Sequence, residues 1–247
     1  MIDLSQLSPM MQHYMETKKE YPDCVLFYRL GDFYEMFFDD ALTVSKELEI
    51  TLTGKDCGLS ERAPMCGVPF HALDSYLYRL VQKGYKVAIA EQMEDPRQAK
   101  GLVKREVIRV VTPGTITSSQ VLDETKNNYL MGIVYMDGIY GISTADISTG
   151  DFMVTEVDSD RELFDEINKF SPSEIICNNA FYMSGVDMDE LKNRYQVVIS
   201  ALDSRFFGEE SCRRILMEHF KVGALVGLGL ELSLIHISEP TRHSLIS

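Results

Sequence analysis

Residues 129–157 hold three apolar-rich runs, 129–136, 139–147 and 152–157, with Asp137-Gly138 between the first two and Thr149-Gly150 supplying the turn between the last two. Asp-Gly between two such runs supplies the positive backbone angles of a two-residue hairpin turn. The stretch is therefore expected to form an antiparallel meander. A helix is predicted over 161–170, with Leu163, Phe164, Ile167 and Phe170 inward, then strands at 174–177 and 196–199 and a helix over 209–220. Hairpin strands followed by alternating helix and strand predict an α/β unit.

The first half has the same mixed character. A helix is expected over 8–20, with Ser8 at its N-cap and Pro9 in its first turn. Strand 24–30 follows, then helix 40–48, strand 50–53 and a charged, glycine-bearing surface loop over 54–64 that carries Lys55. Next come an amphipathic helix over 71–83 closed by Gly84, and strands at 87–91 and 103–112. Thr112-Pro113-Gly114-Thr115 and the polar stretch after it read as a linker between two domains.

A chain of 247 residues with 45% apolar and 25% charged residues has the make-up of a soluble globular protein of one large or two ordinary domains. No apolar run reaches the roughly 18 residues that span a bilayer. The start, Met1-Ile2-Asp3-Leu4, has no basic segment leading into an apolar one, so no secretory signal is expected and the location is cytoplasmic. Five cysteines without close spacing predict reduced, buried thiols, and the nearest metal-like pair, Cys66 with His71, is too isolated to form a site. No metal is expected. The net charge of -14 argues against nucleic acid, but the acidic excess lies mainly beyond residue 127. Within 97–109, Arg97, Lys100, Lys104, Arg105 and Arg109 face only Glu106. A phosphate-binding surface, which has to be positive, belongs in the first half.

The run Gly31-Asp32-Phe33-Tyr34-Glu35-Met36-Phe37 supports two readings. Phe33, Met36, Phe37, Phe38 and Ala41 have helical spacing, which reads as core. In an extended chain Phe33 and Glu35 share a face instead, setting a flat ring beside a hydrogen-bonding carboxylate. That pair suits a base displaced from its stack.

Five ordered blocks bear on the choice. They are Ser8-Pro9-Met10-Met11-Gln12, the Gly31 to Phe37 run, Pro64-Met65-Cys66-Gly67-Val68-Pro69-Phe70-His71-Ala72, Glu91-Gln92-Met93-Glu94-Asp95-Pro96, and Arg105 through Thr115 with Val110-Val111-Thr112-Pro113-Gly114-Thr115 at its end. Asp146-Ile147-Ser148-Thr149-Gly150 and Phe152 extend the series. Over about residues 8–231 the chain resembles the N-terminal part of the bacterial MutS family of DNA mismatch-repair proteins. The resemblance implies a mixed-sheet mismatch-recognition domain (1–115), a linker (116–128) and a ribonuclease-H-like α/β connector domain (129–231). It implies that Phe33 wedges into the minor groove against a mispaired base, that Glu35 hydrogen-bonds that base, and that Met65 lies near the kink. Lys55, Lys104 and Arg105 are implied contacts to the DNA backbone. A carboxylate beside phosphates favours discrimination over affinity, and the lower deformation cost of a mispair makes such reading largely indirect.

The implied partners are double-stranded DNA containing mismatches, a MutL-type protein at the connector and a second copy in the full-length protein. The chain has no Gly-Lys-Ser or Gly-Lys-Thr phosphate loop, so no cofactor is expected here. ATP and Mg belong to further domains of the family, and no enzymatic activity is expected of this stretch. The alternative is a metal-dependent nuclease or resolvase-like enzyme using Asp137, Asp146 and Asp151 of the second domain. From Leu232 the style breaks, and residues 232–247 look like a translated sequencing-library adapter, a non-native tail.

Overall fold

The computed structural model describes residues 4–94, 101, 103–116 and 127–228. The expected linker and tail lie largely outside them, as do Arg97 and Lys100. The chain divides into two compact units, Met1–Thr112 and Pro113–Ser247.

The first unit contains α1 (Pro9–Glu20), β1 (Cys24–Leu30), β2 (Phe33–Phe37), α2 (Phe38–Leu48), β3 (Thr53–Lys55), β4 (Ala63–Pro69), α3 (Leu73–Gln82), β5 (Lys86–Gln92) and β6 (Arg105–Val111). Its six-stranded sheet runs β3-β4-β2-β1-β5-β6. Only the β1–β5 pair is parallel, so the sheet is mixed. Met11 and Tyr14 of α1 pack with Leu26, Tyr28, Phe37, Ala88 and Ala90 on one face. On the other face α2 and α3 cover the sheet, with Val44, Leu80 and Ile89 fully buried.

Several local expectations shift. Ser8 occupies the N-cap of α1 but makes no side-chain capping bond; its amide donates to Cys57 O at 2.8 Å. The strand expected at 50–53 forms at Thr53–Lys55 instead, because Glu49 turns left-handed at the end of α2 and pairing starts only opposite Met65. Lys55 is thus a strand residue. The helix expected from His71 begins at Leu73, after a 3-10 turn over Phe70–Ala72.

The second unit contains β7 (Tyr129–Met136), β8 (Ile139–Asp146), β9 (Asp151–Val157), α4 (Asp160–Phe170), β10 (Glu174–Cys177), α5 (Asn179–Tyr182), α6 (Met188–Tyr195), β11 (Val198–Ala201) and α7 (Glu209–Phe220). The meander β7–β8–β9 is antiparallel, and β10 and β11 add in parallel on the open edge of β7, giving the order β11-β10-β7-β8-β9. This is the second mixed α/β sheet. Ser159 caps α4 by accepting from Glu162 N, the Ser-x-x-Glu arrangement of a capping box. The last strand starts at Val198 rather than at 196 because Gln196 is left-handed and ends α6. Neither α5 nor α6 was expected from periodicity.

Candidate nucleic-acid interface

The Gly31 to Phe37 run is extended. Leu30 pairs with Phe33 across Gly31-Asp32, a two-residue hairpin loop, and β2 also pairs antiparallel with β4. Gly31 takes φ +60°, which a side chain would disfavour. Period-two alternation then sorts the run. Tyr34 and Met36 turn to the α2 face and are buried, while Phe33 and Glu35 share the α1 face with Phe37. Only Phe37 of the three is covered by α1. Phe33, near the hairpin, is 46% exposed.

The covered end of β2 is firmly held. The Phe37 ring meets Tyr14 edge-on at 5.0 Å between centroids. Tyr14 Oη donates to Asp40 Oδ2 at 3.1 Å, and Asp40 also accepts from Lys18 Nζ and Leu26 N, both at 2.9 Å. Burial, reinforced by the Asp40 charge, pushes the Tyr14 phenol well above its ordinary range, so it remains a donor. One carboxylate thereby ties α1, β1 and α2 together under the strand that carries Phe33.

Gly67 lies opposite Glu35 in β4. A methyl placed there would contact the Glu35 stem at 3.5 Å and the Phe33 ring at 3.8 Å. The glycine leaves the floor beneath the pair open. Lys55 shares this face, passes 5.6 Å from the Phe37 ring centroid and places Nζ 2.5 Å from Glu35 Oε2. Met65, on the same face, is half-buried between its pairing partners Thr53 and Phe37, and Thr53 Oγ1 donates to Met65 O at 3.1 Å. Phe33, Glu35, Lys55 and Met65 therefore gather on one face of β3-β4-β2.

Lys104 and Arg105 do not join them. They sit at the start of β6, three strands from β2 and so roughly 14 Å away across the sheet. Lys104 is exposed and its ammonium pairs with Glu106 at 2.5 Å. Arg105 is only 7% exposed, with Nε donating to Arg29 O at 2.6 Å and Nη1 to Val103 O at 2.7 Å. A bulge explains its direction. Ile89 pairs with Arg109 but Ala90 pairs with Val107, so Ile108 is an extra residue. Val107 and Val110, three apart, consequently face the same core, and Arg105 follows Val107 inward.

Arg29, Glu91 and Gln92, to which the sequence assigns no site role, bear on the hairpin as well. Arg29 lies 4.1 Å over the Phe70 ring and 3.5 Å from Glu91 Oε2. Tyr34 Oη donates to the same carboxylate at 2.7 Å, and burial with this bond pushes the Tyr34 phenol up to about 12. Gln92 Oε1 accepts from Gly31 N at 3.0 Å. The Glu91-Gln92 block was visible in the sequence, but nothing in its spacing pointed at the Gly31 turn.

In the second unit, Asp146 is buried and occupied. Burial by itself would raise its carboxyl, but bonds from Ser148 Oγ and N and from Asn128 N outweigh that and hold it below the ordinary range. Asp137 lies in the β7–β8 turn and Asp151 accepts from Thr149 Oγ1. Among the described residues no group of three or more His, Cys, Asp or Glu could hold a metal ion. Cys66 donates to Ala41 O and burial pushes its thiol up to about 12. All five cysteines are buried and none is in a disulfide. Among the described residues no helix is long and apolar enough to cross a membrane.

Comparison with known proteins gives two family matches, MutS domain I over residues 8–120 and MutS domain II over residues 128–239. The second match runs past Leu232, where the style of the sequence breaks. The DNA mismatch repair protein MutS of Lachnoclostridium phytofermentans is 62% identical over 228 residues, covering 92% of this chain and 24% of that protein. The proteins of the same name from Acetivibrio thermocellus and Clostridioides difficile are 57% and 55% identical, over 88% and 78% of this chain and 25% and 20% of their own. The chain spans about a quarter of the length of the curated relatives it matches. With both sheets matched in order, the chain belongs to the MutS family of mismatch-repair proteins and carries its domains I and II.

Proposed function

We propose that the first unit reads mispaired or unpaired bases in duplex DNA, with Phe33 as the inserted ring and Glu35 as the hydrogen-bonding partner of the displaced base. The observation that carries this reading is the exposure of Phe33 at 46% on a strand whose neighbours Tyr34 and Met36 are buried, with Glu35 on its own face. A ring held at the end of a rigid strand can wedge a base step, and a mispair lowers the cost of doing so.

Glu35 is engaged by Lys55 in the free protein. A DNA phosphate offers Lys55 an alternative partner, and withdrawal of the ammonium leaves Glu35 Oε2 open to a donor on the base. Lys104 adds positive charge farther along the sheet, and Met65 lines the floor of the face. ATP hydrolysis with Mg, pairing with a second copy and contact with a MutL-type protein through the second unit belong, in this reading, to the whole protein, which works in the cytoplasm.

Phe33→Ala, measured in a full-length MutS carrying this sequence as its first two domains, is expected to abolish preference for a mispaired over a matched duplex. Salt-dependent binding to matched DNA should persist. Competition between the two duplexes measures this, and undiminished preference in the variant overturns the wedge.

A further inference from the structure

The β1–β2 turn that presents Phe33 is propped from outside its own hairpin. The parallel β1–β5 register ends at Tyr28 opposite Ala90. Beyond it, Arg105 Nε supplies a donor to Arg29 O at 2.6 Å from the edge strand β6. Gln92 Oε1 receives both Gly31 N, at 3.0 Å, and Arg105 Nη2, at 3.4 Å. The guanidinium carbon lies 5.2 Å from the Tyr28 ring centroid. On the other side of the turn, Phe70 N donates to Asp32 O at 2.9 Å. Both loop residues are thus fixed by groups from outside the hairpin, Gln92 of β5 and Phe70 of the 3-10 turn after β4.

We propose that Arg105 and Gln92 are positioning residues for the reading pair, so that Arg105 serves selectivity rather than contact with the DNA backbone. The proposal rests on the assignment of Phe33 and Glu35 made above. Three observations separate the two roles. Arg105 is 7% exposed, and its Nε, Nη1 and Nη2 each make an inward contact. It faces inward because of the bulge at Ile108, a feature that re-aims side chains near functional sites. It shares its acceptor, Gln92 Oε1, with the amide of the loop glycine, so a shift in either group reaches Gly31 directly. A ring placed about 1 Å off its insertion path loses the geometry that distinguishes a mispair.

The two roles give opposite salt signatures. A residue contacting phosphate contributes about 0.9 to the slope of log affinity against log salt, whereas a positioning residue contributes nothing. Arg105→Met and Gln92→Met, in a full-length MutS carrying this sequence, are therefore compared by competition between a matched duplex and one with a single mispair over a salt series. Both variants are expected to lose selectivity about tenfold, the order expected from withdrawing one or two hydrogen bonds, with the matched-duplex salt slope unchanged. Gln92→Met removes no charge and serves where Arg105→Met fails to fold. In this chain itself, Gln92→Met should speed hydrogen exchange at the Gly31 amide, and unchanged exchange there counts against the prop. A slope reduced by about one in Arg105→Met, with parental selectivity in Gln92→Met, overturns the proposal in favour of a backbone contact. Phe33→Ala in the same series keeps the two readings apart. Selectivity retained in that variant removes the wedge itself, while selectivity lost there but kept in Arg105→Met and Gln92→Met removes only the positioning role.

Discussion

Two hairpins of equal loop length carry opposite burdens in this molecule. The β1–β2 loop, Gly31-Asp32, closes between Leu30 and Phe33, and the β7–β8 loop, Asp137-Gly138, closes between Met136 and Ile139. The second follows local rules alone. Asp137 and Gly138 take φ 52° and 84°, as the twist-matching turn requires, and among the described residues no side chain bonds that loop. The first has Gln92 on Gly31 N and Phe70 N on Asp32 O, with Arg105 and Arg29 behind them. A loop that closes without help elsewhere is here over-determined. The additional bonds hold a large, exposed ring in one place, which a hairpin does not need for its own stability.

Breaking the prop should give the largest effect. Arg105→Met leaves Arg29 O and Val103 O without their Arg105 donors, and Gln92 Oε1 with the Gly31 amide alone, and is expected to destabilise the first unit by about 2–3 kcal/mol. Hydrogen exchange in β7 and β8 should not change. Loss of protection in both units alike would contradict the locality of the prop.

The loops can next be matched directly. Gly31→Ala and Gly138→Ala each force a side chain into positive φ, costing about 1–2 kcal/mol, and thermal unfolding should show similar losses. Only Gly31→Ala should also impair choice between mispaired and matched duplex. Equal impairment by both would erase the functional difference between the hairpins.

The carboxylates on the two sheets sharpen the same contrast. Asp146, held below its ordinary range by Ser148 and Asn128, contributes stability that is complete above about pH 4. That contribution is lost as pH falls through the depressed folded value. Asp146→Asn should flatten this acid limb of the unfolding curve, and an unaltered limb would show that another group dominates it. Glu35, by contrast, is held by one lysine at a partly exposed position. Lys55→Met is expected to change stability by no more than about 0.5 kcal/mol while lowering the salt slope of DNA binding by about one. An unchanged slope would mean that Lys55 stays on Glu35 when DNA is bound.

Most of the scaffold was legible. The meander, α4 and the strand before the Gly31 turn follow from apolar runs and turn residues, because local chemistry settles them. The site was legible only in part. Phe33, Met36 and Phe37 fit helical spacing and Phe33 and Glu35 fit strand spacing, and only pairing with β1 and β4 decides between them. Arg105 read as one of a basic cluster because a bulge at Ile108 has no mark in a strand pattern. Lys55 read as a loop residue because its strand is three residues long, Thr53–Lys55, and exists only by pairing with β4. Long-range register fixed what residue type could not.

In our proposal the propped hairpin acts through the exposed ring. A double-mutant cycle of Phe33→Ala and Gln92→Met, read as the ratio of mispaired to matched duplex affinity, tests it most directly. Gln92→Met should cost selectivity in the parent and nothing further in the Phe33→Ala background. Independent, additive losses would show that Gln92 and Phe33 serve different ends, and would overturn the positioning role of Gln92.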